Sequence, residues 1–199
     1  MSFIFYKKPY LLLVTCLLLL FAFMGLGYSN VKAATTNQVP VFRLYDSYSG
    51  QHLQTISSYQ DQVLSSNAIL DGNLVIWTNE SPTFYAFNLI NGLCPAGTVP
   101  VYQLYNDKSG EHLLTADLNE VNVLTSNSSQ DNWFSEGVNF CDYRNQVTGT
   151  VPVYRLYNDK SGEHLLTADL NEVNALNGKN NWSIEYADNN GVAFYASYY

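Results

Sequence analysis

The sequence predicts a mainly β fold with short helices, organised as three tandem units, and three observations carry that reading. Gly97–Leu124 recurs at Gly149–Leu176 with only two of 28 positions changed, Gln103 against Arg155 and Val123 against Ala175. A worn copy begins at Val39 and keeps Val39-Pro40-Val41, Arg43-Leu44-Tyr45, Ser49-Gly50, His52-Leu53 and Thr55. Each copy opens on a run rich in β-branched and aromatic residues, VPVYRLYN in the third, which is strand composition. The units run over about 39–96, 97–148 and 149–199. One unit alone has too little core, so the expectation is a pseudo-threefold, trefoil-like arrangement that shares a core and hides its sheet edges. An open array of small α+β units is the alternative.

Each element follows from its residues. The proline of VPVYRLYN lies near the start, where a strand tolerates it. NDKSG is a turn, and EHLLT returns as the second strand of a hairpin. Asp117 before Leu118-Asn119-Glu120, and Asp169 before Leu170-Asn171-Glu172, read as capping boxes that start a helix of about two turns. Ser57 and Gln60 offer the same device in the first unit. Leu118, Val121 and Leu124 share one helix face. Trp77, Trp133 and Trp182 then lead into a second apolar pair of strands, marked by the aligned Phe84, Phe140 and Phe194.

The first 33 residues read as a secretory signal peptide. Lys7 and Lys8 precede an apolar run from about Leu11 to Gly27, and Val31-Lys32-Ala33 supplies the cleavage site. Cleavage after Ala33 leaves residues 34–199 as one repeat domain with six basic against seventeen acidic residues, a net charge of −11. That balance argues against nucleic acid and against anionic membranes as partners. The product is expected outside the cell, free or loosely associated with the wall. Cys94 and Cys141 then form an even pair in an oxidising compartment, which reads as a disulfide, with two free thiols as the alternative.

The phrases VPVYRLYN, SGEHLLT and the closing W…GVAFY resemble a bacterial secreted repeat domain of unknown function. CPAGTVPVYQLYN at Cys94–Asn106 is similar to that family's unit junction, cysteine included. The resemblance covers essentially all of the chain after the signal segment. It departs at Leu113-Leu114 and Leu165-Leu166, where the family commonly has aromatics. The resemblance implies about three units and a non-catalytic accessory or binding module of the kind often appended to secreted hydrolases. The sequence itself contains no hydrolase domain.

His52, His112 and His164 are the three histidines, each in the same slot of its unit. Three readings compete: each supports its own hairpin; each lines a pocket with Tyr45, Tyr105 or Tyr157; or all three converge on a metal. A flat ring packs on the apolar face of a pyranose while polar neighbours hold its hydroxyls. Trp133 and Trp182, with Asn106 and Asn158, are therefore candidate sugar contacts, and ordinary core and turn roles are the alternative. Glu111-His112 and Glu163-His164 place an acid beside an imidazole, but strand neighbours face opposite ways. No nucleophile elbow, zinc-protease motif or phosphate loop occurs. The expectation is a secreted module that is not an enzyme, needs no cofactor or metal, and binds glycan of a cell wall or host surface through repeated sites. A protein-interaction or competition factor and a small glycosidase are the alternatives.

Overall fold

A computed structural model describes residues 37–198, apart from 67–68, 71–72, 75–76, 127–131 and 187–188. The signal peptide expected over residues 1–33 lies outside the described residues. Among the described residues no helix is long and apolar enough to cross a membrane.

The first unit contains β1 (Gln38–Asp46), β2 (His52–Thr55), α1 (Ser58–Ser65), a small ladder of β3 (Ile69–Leu70) with β4 (Asn73–Leu74), and β5 (Trp77–Phe87). The second contains β6 (Val99–Asn106), β7 (His112–Thr115), α2 (Leu118–Leu124) and β8 (Trp133–Asp142). The third contains β9 (Thr150–Asn158), β10 (His164–Thr167), α3 (Leu170–Leu176), β11 (Trp182–Ile184) and β12 (Val192–Ser197). In each, the long first strand pairs on one side with the short strand of its hairpin and on the other with the closing strand. The fold is mainly β, with three short helices.

The hairpin turns form for local reasons. Asn106 accepts from the backbone N–H of Lys108 and Ser109 at 3.0 and 3.1 Å, and Asn158 repeats this on Lys160 and Ser161. Asp46 does the same for Tyr48. The chain then needs a left-handed residue, and Gly50, Gly110 and Gly162 each supply it with φ +78°. This register sets Tyr45, Tyr105 and Tyr157 directly opposite His52, His112 and His164.

Two expectations change. The closing region is one long, bulged strand in the first two units, β5 and β8, and becomes a pair only in the third, as β11 and β12. The strand pairing also does not describe a closed trefoil-like ring. It is a single antiparallel sheet with an open path, β10-β9-β12-β5-β8-β6-β7, with β1 and β2 attached at β5 and β11 at β9. The closing strands touch at single pairs: β12 meets β5 at Ser197↔Tyr85, and β5 meets β8 at Phe87↔Cys141. An isolated bridge, Tyr143↔Tyr195, joins the ends of β8 and β12.

One core is nonetheless common to the three units. It gathers Val41, Phe84 and Ala86 with Val101, Leu114 and Phe140, and with Val153, Leu166 and Phe194. The three phenylalanine rings sit edge to face in a triangle with sides of 6.0, 5.7 and 5.9 Å. All three are fully buried, each contributing about 2–3 kcal/mol of transfer free energy. Cys94 and Cys141 are bridged, with Cα atoms 5.6 Å apart. The bridge ties the linker after β5 to the end of β8 and packs beside Phe87 and Tyr143.

The helices are capped as read, but only by half of the box. Asp117 accepts from Asn119 N–H at 2.8 Å, and Asp169 accepts from Asn171 N–H at 2.8 Å. Ser57 accepts from Gln60 N–H at 3.1 Å. Glu120 and Glu172 do not reach back to the cap. An arginine of the next unit holds each of them instead. Of the expected apolar helix face, Val121 is buried, while Leu118 stays 51% exposed.

Candidate functional site

His112 meets Gln103 of its own hairpin at 3.2 Å, but His52 and His164 reach across unit boundaries. His52 Nδ1 meets Glu163 of the third unit, and His164 Nδ1 meets Glu111 of the second. Both carboxylates are almost fully buried. Glu111 and Glu163, beside His112 and His164 in sequence, are therefore spent on His164 and His52, across unit boundaries. On its other ring nitrogen His52 lies 3.3 Å from Glu80, and His164 lies 3.5 Å from Glu185. The cross-strand tyrosines stack against the imidazoles, at centroid distances of 4.9, 5.0 and 4.8 Å for Tyr45–His52, Tyr105–His112 and Tyr157–His164.

An arginine fork reinforces the same boundaries. Arg43 gives two hydrogen bonds to Glu172, at 2.8 and 3.0 Å, and one to Glu80 at 2.7 Å. Arg155 gives two to Glu120, at 2.9 and 2.7 Å, one to Glu185 at 2.6 Å, and lies 4.4 Å over the Tyr186 ring. Burial alone would push Glu120 up, but the Arg155 hydrogen bonds and charge outweigh it and hold the carboxyl down at about 2. The same contest lowers Glu172 through Arg43, and Glu185 through His164 and Arg155. Burial would lower His164, yet its hydrogen bonds to Glu111 and Glu185 raise it.

The boundary between the second unit and the first is built from neutral residues. Gln103 stands where the other units have Arg43 and Arg155, and Gln51 where they have Glu111 and Glu163. Gln60 stands where the other helices have Glu120 and Glu172. Three coordinated changes thus remove one cation and two anions together. His112 consequently finds Glu136 of its own unit, at 3.2 Å, and there burial wins and lowers it. Gln103 bonds Glu136 and Asn139. Among the described residues the buried Gln51 Oε1 has no hydrogen-bond partner.

The three histidines do approach one another. With Gln103, Arg155 and the residues of β2, β7 and β10 they surround a central cavity of ≈ 10 Å³, room for about one water. Among the described residues no cluster of three His, Cys, Asp or Glu is placed to hold a metal ion.

The larger opening lies outside this ring. A cleft of ≈ 560 Å³ takes Asn106, Lys108, Ser109, Glu111 and Trp133 from the second unit, and Tyr157, Gly162, His164 and Glu185 from the third. Four candidate residues, Asn106, Trp133, Tyr157 and His164, are thus brought together, but across a boundary rather than within a unit. Asn158 lies opposite Trp182 in the ladder, and Tyr45 opposite His52, with the His52–Glu163 contact joining the two pairs at the boundary of the third and first units. Tyr105 and His112 stand at the neutral boundary without a buried glutamate from the neighbour. Glu80, Glu111, Glu163 and Glu185 were not legible as a set, because their partners lie in other units. The available signals were Gln103 against Arg155, and Gln51 and Gln60 against the glutamates of the other copies.

Fold and cleft together define a small mainly β domain of three hairpin–helix–strand segments around a common core, with clefts at the segment boundaries. Residues 65–197 match the family described as domain of unknown function (DUF5648), and the chain belongs to that family. No curated protein and no solved structure matches the chain.

Proposed function

We propose that this domain is a secreted, non-catalytic binding module that recognises glycan of a cell wall or host surface. The observation that supports the reading is the ≈ 560 Å³ cleft between the second and third units, in which Trp133 and Tyr157 stand among Asn106, Lys108, Glu111 and His164. Flat apolar ring faces with convergent amide, ammonium and carboxylate groups match the two faces of a pyranose. Glu185 favours binding over hydrolysis. A general acid needs a raised pKa, whereas Glu185 is held low by His164 and Arg155 despite its burial. The family resemblance to modules appended to secreted hydrolases agrees with an accessory role.

The test is retention of the protein, residues 34–199, on a glycan array and on isolated cell walls. Retention that Trp133→Ala and Tyr157→Ala each reduce at least tenfold supports the reading. Absence of retention on every glycan at millimolar site concentration overturns it.

A further inference from the structure

We infer that the boundary between the third and first units is a second site of the same kind, that both sites take a neutral, hydroxyl-rich saccharide, and that the third boundary does not bind it. The inference rests on the glycan reading above and adds to it the location, number and charge class of the sites.

The first cleft is lined by nine residues. At the boundary of the third and first units every corresponding position carries the same residue type. Asn158, Lys160, Glu163 and Trp182 are offered by the third unit, and Tyr45 and His52 by the first. Ser161, Gly50 and Glu80 complete the set. The geometry repeats with the residues. The Tyr–His stacks are 4.9 and 4.8 Å apart. The imidazoles lie 3.3 and 3.5 Å from Glu80 and Glu185, and the arginine Nε atoms reach those glutamates at 2.7 and 2.6 Å. An open recess of ≈ 420 Å³ at the tip of the β9–β10 hairpin is lined by Asn158, Lys160, Ser161, Asn180 and Asn181, all from the third unit.

The first unit has drifted from the others, but not evenly. The residues it turns toward the third unit, Arg43, Tyr45, Gly50, His52 and Glu80, are kept. Of the five it would offer to the second unit, Ser49 and Trp77 are kept and three are changed: Asp46 for Asn, Tyr48 for Lys, Gln51 for Glu. Drift constrained only by the fold would not sort by boundary in this way, since the hairpin itself tolerates both sets. The sorting follows the neighbour.

Charge supplies the ligand class. Around the first cleft the charged groups are already paired, Arg155 with Glu120 and Glu185 and His164 with Glu111, and they offer both donors and acceptors. The second set repeats those contacts, Arg43 with Glu172 and Glu80 and His52 with Glu163. A ligand carrying fixed charge would leave one of these pairs uncompensated. The third boundary has neither the lysine nor the arginine, and it adds Asp46.

The three tryptophans make the test direct, because Trp133, Trp182 and Trp77 each report one boundary. The wild-type protein, labelled at the indole nitrogen, is titrated with chitohexaose, with β-1,3- and β-1,4-glucan hexasaccharides, and with hexagalacturonate. The expected result is movement of the Trp133 and Trp182 indole signals with dissociation constants within threefold of each other for a neutral hexasaccharide, a fixed Trp77 signal, and at least tenfold weaker binding of the uronate. Movement of Trp133 without Trp182 overturns the second site and leaves the glycan reading standing. Equal movement of Trp77 overturns the discrimination among boundaries, and tighter binding of the uronate overturns the neutral class. No movement with any saccharide overturns both this inference and the reading beneath it.

Discussion

Replacing Arg155 with glutamine measures what one buried fork contributes. The side chain is 2% exposed, holds Glu120 through two hydrogen bonds and Glu185 through one, and covers Tyr186. Glutamine already stands at the matching position of the second unit as Gln103, so the backbone accepts it. The substitution strands two carboxylates. Breaking a buried pair by removing one partner costs about 3–5 kcal/mol. Glu120 and Glu185 keep 22% and 27% exposure, which lets water recover part of that, so about 2–4 kcal/mol is expected. Titration gives a second route to the same quantity. Glu120 is held at about 2 against an ordinary 4.5, and at about 1.4 kcal/mol per pH unit this corresponds to about 3 kcal/mol. Because the folded value is depressed, the contribution is complete above pH 4.5 and is lost as pH falls through about 2. For a domain of this size about 1 kcal/mol moves Tm by about 2–4 °C, so calorimetry at neutral pH should show a fall of about 6–12 °C. The gap from wild type should narrow below pH 4.5. Adding Glu120→Gln recreates the neutral boundary and should recover about 1–2 kcal/mol of the loss. A Tm change under about 2 °C for Arg155→Gln, or no coupling between the two substitutions, refutes the reasoning.

Asp142 is fully buried, its Oδ2 has no hydrogen-bond partner among the described residues, and burial raises its carboxyl well above the ordinary value despite the Tyr143 N–H. Raised in the folded state, it costs stability increasingly as pH rises above its unfolded value. Asp142→Ala, which copies Ala86 and Ala196 at the matching positions, should therefore raise Tm at neutral pH by the equivalent of about 1–3 kcal/mol, with the gain vanishing below pH 4. Replacing both Cys94 and Cys141 with alanine opens a loop of 47 residues and should cost about 4 kcal/mol in denaturant unfolding. Proton NMR should place the His164 titration above the ordinary 6.5 and that of His112 below it. Glu111→Gln should move His164 downward through loss of its hydrogen bond, and His112, which feels only the Glu111 charge, in the same direction. Asp117→Ala should cost about 1 kcal/mol through loss of the α2 cap.

How much was legible follows from what is local. The hairpin, its Asx turn and left-handed glycine, the helix cap and the tyrosine opposite each histidine all depend on residues within about fifteen positions, and each could be read from one copy. The capping box failed because Glu120 has a choice: a neutral backbone N–H nearby or a guanidinium from another unit. The charge-assisted fork is the stronger bond. The same blindness hid the site. Glu111 and His112 adjoin in the chain and face apart on the strand, which was read correctly, but the imidazole that Glu111 serves is 53 residues away. The single exchange of Gln103 for Arg155 between nearly identical copies held that information, and it became meaningful only when their neighbours were known.

The disulfide and the ionic forks are complementary in placement. The first and second units lack the arginine–glutamate fork and the buried histidine–glutamate contact, and theirs is the boundary that Cys94–Cys141 spans, where Phe87 of β5 meets β8. Covalent closure stands where charge pairing is missing. Reducing conditions and acid should therefore loosen the domain at different places. A thiol reductant acts on the seam between the first and second units, while protonation of Glu120 and Glu172 weakens the other two. Hydrogen exchange would show two distinct modes of partial opening in one small domain, each selected by the chemistry of the surrounding medium.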